Sequence, residues 1–135
     1  KTWITPHRKE FERLFSNIKC ENNVELALNA AKEFNISVLL KGANSIVADN
    51  KNAWQLFGTD SQTARAGLGD LLSGFVAGSA AIDWTSCGNI TTDFFAKYVL
   101  LHSFAASRSK NGSNASAIGD ELSKLMRNRK MRQIS

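Results

Sequence analysis

Ser37-Val38-Leu39-Leu40-Lys41-Gly42-Ala43 is a short apolar run, partly β-branched, that stops on a cation and a glycine. It reads as a buried strand that delivers Lys41 to a turn. Downstream, Ser45 to Ala48 and Trp54 to Phe57 are two further strand-like runs, and Asp49-Asn50-Lys51-Asn52 between them has the composition of a turn, which predicts a hairpin. Upstream, Val24, Ala27, Leu28, Ala31 and Phe34 recur at helical spacing, so an amphipathic helix runs into the strand and ends near Asn35. Thr5-Pro6 reads as the start of an earlier helix reaching about Phe15, with Thr5 capping free amides and Pro6 at the first helical position. The opening residues read as the tail of a strand.

The second half is helical. A helix is expected to begin near Asp70, with Leu71, Leu72, Phe75, Val76 and Ile82 in periodic array. Its small residues Gly74, Gly78 and Ala81 predict close approach of another backbone, and hence a deeply buried helix. Residues 92–106 are apolar nearly all round, as for a helix sandwiched between neighbours. A last helix spans about 116–128, after an exposed loop over 107–116. Strands come first and helices last, with too few strands to cover the apolar helix faces. The rest of the sheet is therefore expected from an N-terminal half of the same fold, and all 135 residues are read as part of one domain.

Composition narrows the class. Hydrophobic residues make up 43% and charged residues 21%, ordinary for a folded globular chain. No apolar run approaches the roughly 18 residues of a membrane span, so no membrane is expected, and the cytoplasm is the expected compartment. Much of the net charge of +5 comes from Lys124, Arg127, Arg129, Lys130 and Arg132. Cations there complement a helix C-terminus, and without interleaved aromatics they predict no nucleic-acid partner. Cys20 and Cys87 belong to no Cys-x-x-Cys pair and read as free thiols.

The element richest in chemistry is Gly67-Leu68-Gly69-Asp70. Glycines ahead of a helix expose backbone amides at the positive end of the dipole, which makes an anion site suited to phosphate. Asp70 alone fits equally an ordinary first-turn carboxylate. Lys41 alone fits an exposed strand end, and His7 a surface cap. His102, on an apolar face, reads as a core histidine, and Glu10 as support for the first helix start.

Taken together, Thr5-Pro6-His7-x-x-Glu10, then Leu40-Lys41-Gly42-Ala43, then Gly67-x-Gly69-Asp70 occur in an order that resembles the NAD(P)H-hydrate dehydratase family. The resemblance extends from Thr5 to about Leu125. It implies a ribokinase-like three-layer α/β/α sandwich of which this chain is the C-terminal portion. It implies an ADP- or ATP-dependent lyase that repairs the hydrates NADHX and NADPHX, with Asp70 as base and Mg2+ as cofactor. It further assigns nucleotide binding to Lys41, Gly42, Ala43, Asn44, Ser45 and Gly69, an anion hole to Gly67, Leu68 and Gly69, and the hydrated dinucleotide to His7 and Asp70. A homo-oligomer and a fused or partner epimerase domain upstream are also implied.

Several positions depart from that pattern. Ala66 and Leu68 stand where the family has Gly and Thr, Arg65 replaces a small polar residue, His7-Arg8-Lys9 replaces His-Pro-Gly, and Asp60-Ser61-Gln62-Thr63 replaces Asn-Pro-Gly-Met. Two other readings stay open: a small-molecule kinase of the ribokinase superfamily (for a thiazole, a pyrimidine or a vitamin), which would share Asp70, and a nucleotide-binding protein of impaired catalysis.

Overall fold

The computed structural model describes residues 2–57, 67–109 and 114–131. Ala66, Arg65 and the stretch 60–63, where the sequence leaves the family pattern, lie outside the described residues, as does Arg132.

The chain runs β1 (Trp3–Ile4), α1 (Arg8–Leu14), α2 (Asn23–Phe34), β2 (Ser37–Leu40), β3 (Ser45–Ala48), β4 (Ala53–Leu56), α3 (Leu68–Cys87), α4 (Thr92–Arg108) and α5 (Ala115–Met131). The strands form one sheet in the order β1-β2-β3-β4. β1 and β2 are parallel, joined through α1 and α2, and β2, β3 and β4 are antiparallel neighbours. The hairpin predicted around residues 49–52 is present: Asp49 Oδ1 accepts from the amides of Lys51 and Asn52, and Ala48 pairs with Ala53.

Three layers follow from strand alternation. Val38, Leu40, Ile46 and Ala48 face α1 and α2, packing with Phe11, Leu26, Ala27, Ala30 and Ala31. Leu39, Val47 and Leu56 face the other way, toward Leu72 and Val76 of α3 and Phe95, Tyr98 and Val99 of α4. Each fully buried large side chain among these contributes about 1.5–3 kcal/mol relative to exposure. A third cluster, Leu68, Ala105, Ala106, Ile118 and Leu122, joins α3, α4 and α5.

Four expectations are corrected or refined. Thr5 does not cap α1. The cap is His7, whose Nδ1 accepts from the amide of Glu10 while the Glu10 carboxylate accepts from the amide of His7, a reciprocal capping box. The helix therefore starts two residues after Pro6. Next, α3 is not deeply buried: Leu68, Leu72, Val76 and Ser79 form its buried stripe. Gly74 and Gly78 lie on the open side, where an added β-carbon would meet nothing within 4 Å. Likewise α4 is covered on one side only, since Leu100 and Phe104 are about half exposed. Finally, α4 extends to Arg108, shortening the expected loop, and α5 begins at Ala115.

His102 is buried in α4 as expected, with Nε2 unpartnered and its pKa lowered by burial. Both cysteines are free. Among the described residues no helix is long and apolar enough to cross a membrane.

Candidate functional site

The loop from β1 to α1 and the end of β2 are tied together. Lys41 donates its amide to the Pro6 carbonyl at 2.9 Å, and His7 and Lys41 form an isolated parallel bridge. Two segments more than thirty residues apart are thus joined again three residues beyond the β1–β2 ladder. The turn that follows is closed by Ser45, whose Oγ lies 3.4 Å from the Gly42 amide and donates to the Gly42 carbonyl at 3.3 Å.

Facing this loop is the start of α3. Gly67 caps the helix in the left-handed conformation, φ 83°, which suits a residue without a side chain, and it contributes no side-chain hydrogen bond. The first intrahelical bond there runs from the Leu71 amide to the Gly67 carbonyl. The amides of Leu68, Gly69 and Asp70 consequently have no intrahelical acceptor and point out of the positive end of the helix. Leu68 turns its side chain into the cluster with Ala105, Ala106, Ile118 and Leu122. It contributes its amide to this end and its side chain to the core.

Between the two lies an open cleft of about 530 Å³, lined by Ile4, Thr5, Pro6, Glu10, Arg13, Leu14, Lys41, Gly69, Asp70 and Ser73. Lys41 reaches across it. Its Nζ stands 3.7 Å from the place a β-carbon on Gly69 would occupy and 3.9 Å from Glu10 Oε2. Lys41 is about 29% exposed. The Glu10 pKa is lowered, chiefly by the His7 amide bond, with Lys41 and other cations adding to the effect. Asp70 is exposed at the cleft wall. A smaller neighbouring cleft of about 170 Å³ shares Lys41 and adds Arg8, Asn23, Leu40, Gly42, Asn44 and Ile46.

Of the residues singled out from sequence, Lys41, Gly69 and Asp70 share the larger cleft, and Glu10 joins them. Gly42 and Asn44 line the smaller one with Lys41. Gly67 and Leu68 shape the helix start without lining either cleft. Ala43 lies in the intervening turn, and Ser45, the first residue of β3, closes it. His7 lies behind Glu10 as the helix cap and lines neither cleft. Sequence reading passed over Ser73, Arg13 and Leu14. The spacing held their signal, because Ser73 follows Asp70 by three residues, and Arg13 and Leu14 follow Glu10 by three and four, on the same helix faces. Thr5 Oγ1 bonds Ser73 Oγ at 3.1 Å, joining the two walls.

Another groove, about 470 Å³ along the open side of α4, is lined by Phe94, Lys97, Tyr98, Leu100, Leu101 and Phe104. It lacks a carboxylate and a helix start, so it offers none of the phosphate chemistry of the larger cleft.

The sequence model of the NAD(P)H-hydrate dehydratase family matches residues 1–128. The chain belongs to that family. Among NAD(P)H-hydrate dehydratase relatives, the ADP-dependent (S)-NAD(P)H-hydrate dehydratase of Nitrosopumilus maritimus is 42% identical over 79 residues, 56% of this chain and 27% of that protein. A bifunctional NAD(P)H-hydrate repair enzyme of Corynebacterium glutamicum is 31% identical over 111 residues, 76% of this chain and 19% of its own length.

Among solved structures, the ADP/ATP-dependent NAD(P)H-hydrate dehydratase of Bacillus subtilis, co-crystallised with ATP and Mg2+, superposes with a TM-score of 0.74 at 21% identity, over 93% of this chain and 47% of that one. A ribokinase-like superfamily protein of Enterococcus faecalis superposes with a TM-score of 0.77 at 23% identity, over 93% of this chain and 44% of its own. The fold is ribokinase-like, as the motifs implied, and the chain spans under half the length of these solved relatives.

Proposed function

We propose that this chain carries the phosphoryl-transfer face of an ADP- or ATP-dependent NAD(P)H-hydrate dehydratase, as the C-terminal part of a longer domain. In this reading Asp70 accepts the proton of the ring hydroxyl of NADHX or NADPHX while the hydroxyl oxygen attacks the terminal phosphorus of the nucleotide. The bond from that phosphorus to the bridging oxygen breaks. Elimination then breaks the carbon–oxygen bond to the new phosphate, a proton leaves the neighbouring ring carbon to solvent, and the double bond of the dihydronicotinamide is restored. The amides of Leu68, Gly69 and Asp70 and the Lys41 ammonium receive the charge on the moving phosphoryl group. The Lys41 to Ser45 turn and the smaller cleft hold the rest of the nucleotide, and His7 orients the dinucleotide.

The single observation that carries this reading is the convergence of Lys41, Gly69 and Asp70, from the end of β2 and the start of α3, on one cleft. Family membership supports it over the kinase alternative. Among the described residues no three His, Cys, Asp or Glu side chains gather as a metal cage. Asp70 and Glu10 are the carboxylates lining the cleft, a donor set that suits a magnesium ion carried on nucleotide phosphates. Bound there, the ion would neutralise phosphate charge. A linked epimerase is part of the proposal, supported by relatives named as bifunctional repair enzymes, and so are self-association and a cytoplasmic site of action.

The test uses the full-length protein with hydrated NADH, magnesium and ADP or ATP, following recovery of dihydronicotinamide absorbance. Recovery is expected with at least one nucleotide, and none with either sinks the proposal. Asp70→Asn should lower turnover by about 10²–10⁴-fold while nucleotide binding persists; unaltered turnover would remove Asp70 from the role of base.

A further inference from the structure

Glu10 touches two residues that the motif resemblance assigns to different substrates. Its Oε2 accepts from the His7 amide at 2.8 Å and lies 3.9 Å from Lys41 Nζ. Its Oε1 lies 3.4 Å from His7 Nε2. On the other side of the imidazole, Nδ1 accepts from the Glu10 amide at 3.2 Å, which leaves the ring proton of a neutral imidazole on Nε2. Among the described residues Glu10 is the one carboxylate within ion-pair distance of Lys41.

From this geometry we infer that Glu10 is a positioning residue, holding Lys41 over the start of α3. The inference rests on the proposed nucleotide site. A lysine ammonium on a four-carbon stem has many conformations, and bringing it to one place costs side-chain entropy at the moment of binding. A carboxylate beside it, itself held by the capping box, selects the conformers that cross the cleft toward Gly69 before the nucleotide arrives. The capping box thus does more than start α1. It sets a charge whose place is defined by backbone bonds, and that charge sets Lys41.

The sign of the effect separates this role from plain electrostatics. Removing a negative charge beside a phosphate site should, by Coulomb's law alone, tighten an anionic ligand. Loss of a positioning contact should weaken it. In the full-length protein, nucleotide affinity is measured by calorimetry with ADP and with ATP for wild type, Glu10→Gln, Lys41→Met and the double variant. Glu10→Gln keeps an oxygen acceptor for the His7 amide, so melting should stay close to wild type.

The expected result is affinity weakened about fivefold by Glu10→Gln, with no further loss when the same change is made on Lys41→Met. Tighter or unchanged binding, or an equal loss in both backgrounds, overturns the inference. If Glu10→Gln melts early, Glu10→Asp, which keeps charge and cap but shortens the reach, must show the same Lys41-dependent loss; wild-type affinity there overturns it equally. Failure of the wild type to bind either nucleotide refutes the site itself, a result distinct from an altered variant on a binding wild type.

Discussion

The Lys41 ammonium stands 3.7 Å from the point where a β-carbon on Gly69 would sit, so the end of β2 and the first turn of α3 meet over the absent side chain of a glycine. At that distance a methyl group makes an ordinary contact, and alanine is the better helix former by about 1 kcal/mol. Gly69→Ala should therefore melt at or slightly above the wild-type temperature. The same methyl occupies the approach to the first-turn amides, so affinity for ADP and ATP should fall on the order of tenfold, about 1.4 kcal/mol. Calorimetry beside a thermal melt checks both halves, and full affinity would take Gly69 out of the anion site.

Gly67 and Gly88 cap the two ends of α3, both with positive φ, 83° and 66°. Alanine at either should cost about 1–2 kcal/mol of stability through backbone strain. Of the two, only Gly67 adjoins the helix start whose Gly69 and Asp70 line the cleft. Gly67→Ala should weaken nucleotide binding as well as stability, whereas Gly88→Ala should lower the melting temperature alone. Equal binding by the two variants would separate the α3 start from phosphate recognition.

Leu68 packs with Ala105, Ala106, Ile118 and Leu122. Leu68→Thr, which restores the family residue, removes apolar contacts and places a hydroxyl in that cluster, for a loss of about 2 kcal/mol. Denaturant unfolding is the measurement. A neutral or stabilising result would show that the helix start can relax without its leucine.

His102 links stability to acid. Burial lowers its pKa below the ordinary 6.5, so across the window just below 6.5 the unfolded chain binds more protons than the folded one. Stability contributed by this neutral imidazole is complete above the unfolded pKa and is lost as pH falls through 6.5 toward the folded value. His102→Gln should flatten the dependence of melting temperature on pH between about 7 and 5. A slope unchanged by the substitution would assign the acid sensitivity elsewhere.

Much of this architecture could be read from residue order. The run from Ser37 to Leu40 and the turn at Asp49 announce themselves because β-branched apolar residues and turn formers each have one dominant local use. The cap of α1 was less legible. Thr5-Pro6 looks like a helix start, but His7 can also accept an amide, and Glu10 three residues on completes the reciprocal pair, a choice decided by backbone direction after β1. The burial of α3 was misread because spacing tells which residues share a face, not what covers that face, and Gly74 and Gly78 look the same packed or open. For the site, motif order pointed to Lys41, Gly69 and Asp70, while the pairing of Lys41 with Glu10 depends on a crossover that sequence distance hides.

Trp3 sits in β1, four residues before the cap of α1, with its indole stacked on Phe95 at 4.7 Å and an interplanar angle of 4°. Two rings held parallel in a chiral frame couple their electronic transitions, so this pair should give the chain an optical signature in the near ultraviolet. Among the described residues the other two tryptophans, Trp54 and Trp84, join no stacked pair, and Trp84 is largely exposed. The protein thus carries a native spectroscopic reporter on the strand that leads into the cleft, and the packing of that strand can be followed without a label.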